Sequence, residues 1–292
     1  MQKLLACDRI YTAKFALILF GSGTEKMIQN ISIDFGKFHY SYGTCLPKPN
    51  DLNVRHCHDF YEILYVIDGK GKFVIEGREY PLSPHTLVVI PPLEYHYVDL
   101  NYEANYERCV IHFTESDVIF ECRDLLGGFK KNGEDDTNFY ISNMNSTPIV
   151  SIFEQLEYSE NIPESQRLFY IKLLISELVV LLSATNCDKV ALEDAELGAR
   201  VIRYLNEHIE KDISLDKLAK RFFVSKYYLC RAFKRHNGIS VHGYVNQKRV
   251  MYAKQLIESG ETASRAAYRV GFGDYSAFYR AYVKIIGKSP TA

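Results

Sequence analysis

The stretch "ISLDKLAKRFFVSKYYLCRAFKRHNGIS", Ile213 to Ser240, decides how the last third of the chain folds. Ser214 stands where a helix N-cap belongs, and Leu215, Leu218 and Ala219 follow at the spacing of one helix face. A break at Phe223–Val224 leads to a second N-cap, Ser225, after which Leu229 and Phe233 recur at i and i+4. Asn237–Gly238 then ends the helix, because glycine readily takes the left-handed conformation that a helix C-terminus needs. Two short helices, a tight break and a positively charged second helix make a helix-turn-helix pattern.

The layout recurs about 50 residues later in "TASRAAYRVGFGDYSAFYRAYVKIIGKSP", Thr262 to Pro290. Here "VGF" is the turn, Asp274 the N-cap, Phe278 and Tyr282 the inward i, i+4 pair, and Gly287 the stop. The endings "RAFKRHNGIS" and "RAYVKIIGKS" also match, and an internal repeat of one face is stronger evidence than either copy alone. Between them, "VHGYVNQKRVMYAKQLIESG" reads as one connecting helix. Its inward residues are Tyr244, Val245, Val250, Ala253, Leu256 and Ile257.

Charge divides the chain in the same place. From Ala195 onward there are 18 Lys+Arg and 8 Asp+Glu, against 17 and 28 before it, so a net charge of −1 hides a basic tail and an acidic head. Such asymmetry points the basic part at a polyanion, with coincidentally solvated faces as the plain alternative. The 292 residues suffice for two domains, and 47% apolar with 24% charged residues is an ordinary globular composition. Seven cysteines without a CxxC pair read as reduced thiols. "LLAC" at Leu4–Cys7 has no apolar region before it, and "FALILF" is too short to span a bilayer. The expectation is a soluble cytoplasmic protein with no membrane partner.

Upstream, short apolar strands alternate with turn residues from about Ile31 to Thr114: "YEILYVID", "GKFVIEGREY", "HTLVVI" and "RCVIHF". This argues an antiparallel sandwich or barrel, with hairpins at "DGKG" (Asp68–Gly71) and "EGRE" (Glu76–Glu79) and a surface loop at Lys130–Asn138. The period then becomes helical. Ile149, Ile152, Phe153 and Leu156 fall on one face, and Leu168, Ile171, Ile175, Leu178 and Leu182 form a heptad seam beside Phe169, Leu174 and Val179. That helix either packs on its own domain or joins two subunits. The expected boundaries are 1–147 for the strand domain, 148–185 for a helical dimerisation or connector region, 186–194 for a linker and 195–292 for the helix-turn-helix domain.

The basic third resembles the DNA-binding domain of the AraC/XylS family of bacterial transcription regulators. The matching stretches are "LAKRFFVSKYYLCRAFKRHNGISVHGYV", "KRVMYAKQLI" and "VGFGDYSAFYRAYVKIIGKSP". The resemblance implies two recognition helices in successive major-groove turns, about 34 Å apart. "TASRAAYRV" departs from the family by having Ala and Arg where an isoleucine is usual, which predicts looser packing there. With Leu229 and Phe233 inward, Lys226, Tyr227, Cys230 and Arg231 face out; with Phe278 and Tyr282 inward, so do Tyr275, Ser276, Tyr279 and Arg280. These are the candidate base readers, since Arg reaches guanine O6 and N7 with two hydrogen bonds and Tyr contacts a thymine methyl or stacks on sugar. Ser225, Lys234, Arg235, Lys248, Arg249, Asp274, Lys284 and Lys288 are the candidate phosphate contacts, which position without reading sequence.

"RHCHDFYEILYVIDGKG", Arg55 to Gly71, carries a second signal. His56, His58 and Glu62 share strand parity with Leu64 and Val66, and "IPPLEYHYV" brings His96 from another strand. The arrangement resembles the two cupin motifs, although "SPHT" replaces a Pro-Gly turn, Leu93 a motif glycine, and no Asn follows His96. Such a set could hold Fe, Mn, Ni or Zn. Regulators of the resembled family mostly use the barrel as a metal-free sensor, so His56, His58, Glu62 and His96 are expected to bind an effector, with no metal, no cofactor and no catalytic residue.

The fold expected is α+β: an antiparallel β jelly roll, cupin-like, with a helical hairpin, then an all-α domain with two helix-turn-helix motifs. The resemblance implies a homodimeric transcriptional activator that binds double-stranded promoter DNA, touches RNA polymerase and answers to a small-molecule effector, a carbohydrate being favoured. The competing expectation is a metal-dependent cupin enzyme, an oxygenase or isomerase, with a nucleic-acid-binding tail.

Overall fold

A computed structural model describes residues 31–45, 55–101, 104–129, 139–144, 147–188 and 197–291. The "LLAC" and "FALILF" segments, the loop at 130–138 and most of the 186–194 linker lie outside the described residues. Among the described residues nine strands come first: β1 (Ile31–Phe35), β2 (Phe38–Cys45), β3 (Tyr61–Asp68), β4 (Gly71–Ile75), β5 (Arg78–Leu82), β6 (Thr86–Ile90), β7 (His96–Leu100), β8 (Tyr106–Phe113) and β9 (Phe139–Ile141). They form a six-stranded sheet in the order β1-β2-β8-β3-β6-β9 facing a three-stranded sheet β5-β4-β7. Every pairing is antiparallel.

Strand β3 shows why "YEILYVID" is a nearly continuous apolar run. Leu64 and Val66 point between the sheets, against Phe73, Ile75, Tyr80 and Leu82. Tyr61, Ile63 and Tyr65 point to the other face, under the helices α1 (Thr147–Tyr158) and α2 (Glu164–Ser183). A strand covered on both faces has no reason to alternate with polar residues.

Of the two expected hairpins one is present. Glu76 and Gly77, both at positive φ (49° and 75°), make the two-residue turn between β4 and β5, with Ile75 opposite Arg78. "DGKG" is not a hairpin: β3 and β4 lie in different sheets, and the segment carries the chain across the sandwich. A Cβ at Gly71 would collide with the Asp99 carbonyl oxygen, so glycine is needed for the close approach of β4 to β7.

In α1 the expected face, Ile149, Ile152, Phe153 and Leu156, is buried. The heptad seam of α2 packs largely on its own domain, with its first member, Leu168, exposed. Ile171, Ile175, Leu178 and Leu182 are buried within their own domain, while Phe169, Leu173 and Val180 remain exposed. None of the helices among the described residues is long and apolar enough to cross a membrane.

The C-terminal part is all helical: α3 (Leu197–Glu207), α4 (Leu215–Arg221), α5 (Lys226–Asn237), α6 (Val241–Glu258), α7 (Ala263–Arg269) and α8 (Tyr275–Ile286). Local signals set the ends. Ser225 Oγ accepts from the Tyr228 N–H and Asp274 Oδ1 from the Ala277 N–H, while Gly238 and Gly287 stop their helices at φ of 73° and 85°. Leu229 and Phe233 close the first unit's core. In the second unit Ala266, Ala267 and Val270 are fully enclosed with Phe272 and Phe278, so the small residues of α7 are not loosely covered.

The two domains meet through a buried polar hub at the β4–β5 turn. Glu76 Oε1 accepts from the Tyr95 N–H (2.7 Å) and from Lys248 Nζ (2.6 Å). Its other oxygen accepts from Asn206 Nδ2 (2.8 Å) and from the Tyr244 hydroxyl. Lys248 also donates to the Leu93 carbonyl. Around the hub, Cys57 and Tyr95 of the strand domain join the core of the first helix-turn-helix unit, beside Leu205, Phe233, Tyr244 and Val245. Arg249 ties the two units together: Nε donates to the Ile209 carbonyl (2.8 Å), and its terminal nitrogens donate to those of Gly271 (2.7 Å) and Lys211 (2.6 Å).

Two outcomes follow from this packing. Glu76→Ala leaves the Lys248 ammonium buried without its counter-charge, a loss of about 3–5 kcal/mol for such a pair. Chemical denaturation should register it as a lower midpoint, and X-ray scattering as a larger radius of gyration. Arg249→Lys should destabilise the C-terminal domain by about 2–3 kcal/mol, because one ammonium cannot serve three carbonyls arranged around a guanidinium. Thermal unfolding of the variant at wild-type Tm would contradict that role.

Candidate functional site

The first candidate site is the outer face of the helix-turn-helix units. Lys226, Tyr227 and Arg231 on α5 are exposed and Cys230 is half-buried; on α8, Ser276, Tyr279 and Arg280 are exposed and Tyr275 half-buried. Burying Leu229 and Phe233 on one side of α5, and Phe278 and Tyr282 on one side of α8, fixes this outcome. The Lys226–Asp216 ion pair (3.0 Å) is solvent-exposed and so holds Lys226 only weakly.

The expected phosphate contacts divide. Lys234, Arg235, Lys284 and Lys288 are exposed. Lys248 and Arg249 are not available: each is 9% exposed, the first held in the Glu76 hub and the second on three backbone carbonyls. Asp274 does not serve as a phosphate contact: its carboxylate caps α8, and an anion repels phosphate. Ser225 caps α5 with an oxygen lone pair, which leaves its hydroxyl hydrogen free to donate. The helix-turn-helix units also carry exposed aromatics that were not among the expected contacts. Phe223 is 95% exposed at φ 55° in the turn before α5, and Tyr228 and Tyr268 lie open on α5 and α7.

The second candidate site is the imidazole cluster. An isolated antiparallel bridge pairs His56 with His96, with N–H to carbonyl distances of 3.2 and 2.9 Å. Strand β3 supplies Glu62, and the β3–β8 register sets His112 opposite it. Donor atoms of His56, His58, Glu62 and His96 all lie within 4.8 Å of one another. Glu62 Oε2 is the focus: His112 Nε2 lies at 3.0 Å, His58 Nε2 at 3.1 Å and His96 Nε2 at 3.7 Å. The four expected residues therefore converge, and His112 joins them; its partner across the sheet is a matter of register that sequence does not display.

The electrostatics of the cluster are strongly perturbed. Burial pushes the His58 imidazole down to about 4, against the opposing hydrogen bond from Glu62. Burial pushes the Glu62 carboxyl up, but hydrogen bonds from His112 and His58, with the His96 imidazole close by, outweigh it and hold the group well below the usual carboxylate range. For His96 burial acts downward, yet the nearby Glu62 carboxylate leaves it raised. The turn geometry of the cupin-like motif persists without glycine: His85 and Leu93 adopt φ of 63° and 70°.

Beside the cluster lies a cleft of about 1060 Å3 between the domains, lined by Phe60, Leu93, Glu94 and Glu115 from the loops and turns of the strand domain and by Lys254 and Glu258 from α6. His58 stacks on Phe60 with ring centroids 3.9 Å apart, so the cluster backs directly onto this cleft. Ion pairs Lys37–Glu258 (2.8 Å) and Lys254–Asp59 (2.5 Å) bridge its walls.

Comparison with known proteins agrees with this layout. Residues 39–168 match the family described as an AraC-like ligand binding domain, and residues 218–292 match a helix-turn-helix domain. The chain is 26% identical over 271 residues to the HTH-type transcriptional activator RhaS of Enterobacter sp. (strain 638), covering 89% of this chain and 94% of that one. It is 25% identical to the RhaS of Klebsiella pneumoniae (strain 342), with the same coverage. A solved structure of ToxT from Vibrio cholerae covers 88% of this chain and 97% of its own, at 14% identity and a TM-score of 0.38. The chain thus carries an AraC-like ligand-binding domain followed by a helix-turn-helix domain, and over most of its length it is similar to RhaS-type transcription regulators.

Proposed function

We propose that the chain is a transcriptional activator whose hold on promoter DNA is set by a small ligand bound at its N-terminal domain. The observation that carries the reading is the double, outward-facing set of aromatic and basic side chains on α5 and α8, each backed by its own core. Arg231, one turn from Tyr227, and Arg280, beside Tyr279, are the main base readers, and Lys234, Arg235, Lys284 and Lys288 neutralise phosphates. The sensing surface comprises the imidazole cluster and the adjoining cleft. Alternating Lys, Asp and Glu side chains in the cleft wall suit a hydroxyl-rich molecule such as a carbohydrate.

Two parts of the reading concern assembly. The exposed stripe Phe169, Leu173 and Val180 on α2 is the surface through which two copies would pair, since the seam residues from Ile171 to Leu182 are already covered. Contact with RNA polymerase follows from the activator role that the RhaS relatives carry in their names. The chain has no catalytic role in this reading.

Duplexes selected from a random pool by the purified full-length chain, followed by gel shift, test it. Two enriched half-sites about 10 base pairs apart are expected. Arg231→Ala should weaken binding by about 1–3 kcal/mol and relax one base position, whereas Lys284→Ala should weaken all sequences alike and flatten the salt dependence. Unchanged affinity and an unchanged selected sequence for Arg231→Ala would contradict the assignment.

A further inference from the structure

The two helix-turn-helix units share one hydrogen-bonded turn and fill its left-handed position in opposite ways. In the first unit the N–H groups of Phe223 and Val224 donate to the Lys220 and Ala219 carbonyls (3.3 and 3.0 Å). In the second, those of Gly271 and Phe272 donate to the Tyr268 and Ala267 carbonyls (both 3.0 Å). The residues just before, Phe222 and Val270, have nearly equal angles, φ −93° and ψ 6° against φ −86° and ψ 5°. Phe223 and Gly271 therefore occupy the same place, the left-handed residue that follows a helix, at φ of 55° and 93°. Glycine is the usual occupant, because a side chain there crowds its own backbone.

Gly271 also has a packing reason: a Cβ would lie 2.5 Å from the Glu210 carbonyl oxygen, and its own carbonyl accepts from Arg249. Phe223 has none. A bulky residue at positive φ is an outlier, and this ring is 95% exposed, the most open of the large apolar side chains among the described residues. A side chain held at a steric cost and left in water gives nothing to the fold, so its use lies with a partner.

Position and charge name that partner. Phe223 is two residues from Ser225, at most about 7 Å of chain, and Ser225 caps the N-terminus of α5. In a docked helix-turn-helix the N-terminal residues of the second helix reach the base edges, so a ring just before them meets the DNA backbone at the rim of the groove. From Lys217 to Arg235 there are seven Lys or Arg and no Asp or Glu, while Asp216 is engaged by Lys226 (3.0 Å). Such a run attracts a polyanion. Between the phosphates of a duplex, the apolar surface on offer to a ring is the deoxyribose.

We propose that Phe223 is a DNA-positioning residue whose ring packs against deoxyribose at the edge of the major groove entered by α5. Sugar contacts fix register without reading sequence, and an apolar ring neutralises no phosphate and releases no counterion. With glycine at the matching place in the second unit, one half-site gains the contact and the other does not. This role rests on α5 being a recognition helix of the regulator proposed above.

The full-length chain and its selected duplex provide the test. Phe223→Gly and Phe223→Asn remove the ring and tolerate positive φ, whereas Phe223→Tyr keeps the ring. The first two should hold or raise Tm while weakening binding about 10-fold or more, alike for every duplex and with the slope of affinity against salt unchanged. Phe223→Tyr should bind as the wild type does. In hydroxyl-radical footprinting, Phe223→Gly should lose protection of one or two sugars at the rim of a single half-site. A lower Tm in both ringless variants would place the ring in the fold and overturn the proposal. Wild-type affinity in both overturns it too, and if transcription in vitro is then lost, the ring belongs to an RNA polymerase contact instead. A wild-type chain that selects no duplex overturns α5 as a recognition helix and Phe223 with it, whereas selection that survives loss of the ring at full affinity defeats Phe223 alone.

Discussion

The Glu76 carboxylate, buried between the domains, is the constraint on which the arrangement depends. It sits at the tip of a two-residue turn whose backbone is held at positive φ, and it reaches groups on α3 and α6 as well as a backbone N–H of its own domain. An ion pair so deprived of water contributes little net stability over an apolar contact of the same shape, because desolvating both charges offsets their attraction. Its effect is on specificity. A carboxylate with every lone pair engaged tolerates one docking geometry and penalises others, and Gly77 reinforces it: a Cβ there would press on His236 and Ala199. Burial raises the Tyr244 hydroxyl well above its ordinary pKa, with the Glu76 charge adding to the effect, so at neutral pH the tyrosine stays a donor.

This interface joins the candidate sensing surface to the DNA-facing helices without a long relay. The strand segments that present imidazoles on one side present Cys57 and Tyr95 on the other, and those two side chains are part of the first unit's core. A ligand can shift an arrangement only as far as it binds one state better than the other, and a tenfold change in promoter affinity requires about 1.4 kcal/mol. Contacts of this size are available where two side chains and a hydrogen-bonded hub respond to the same backbone. The second unit is tethered to the first through Arg249, so displacing α6 displaces both recognition helices.

Much of the C-terminal domain was legible in the sequence because its signals are local. Ser225 and Asp274 cap, Gly238 and Gly287 terminate, and the i, i+4 apolar pairs set which face is hidden. Strand parity alone brought His56, His58 and Glu62 together. What failed depended on partners distant in the chain. Lys248 and Arg249 look like exposed phosphate ligands in "QKRV", and only the docked strand domain and the second unit bury them. Glu76 reads as an ordinary turn residue, "DGKG" reads as a hairpin although its flanking strands belong to different sheets, and His112 enters the cluster through a register that no local pattern encodes.

The most direct check of this account is a double-mutant cycle in the full-length chain with Glu76→Ala, Lys248→Met and the pair together, read by equilibrium denaturation. A coupling energy above about 1.5 kcal/mol is predicted, since each single change strands a partner in a dry interface and the double change strands neither. Additive losses, with no coupling beyond about 0.5 kcal/mol, would mean that the two groups do not meet in solution and that the domains are not held together here.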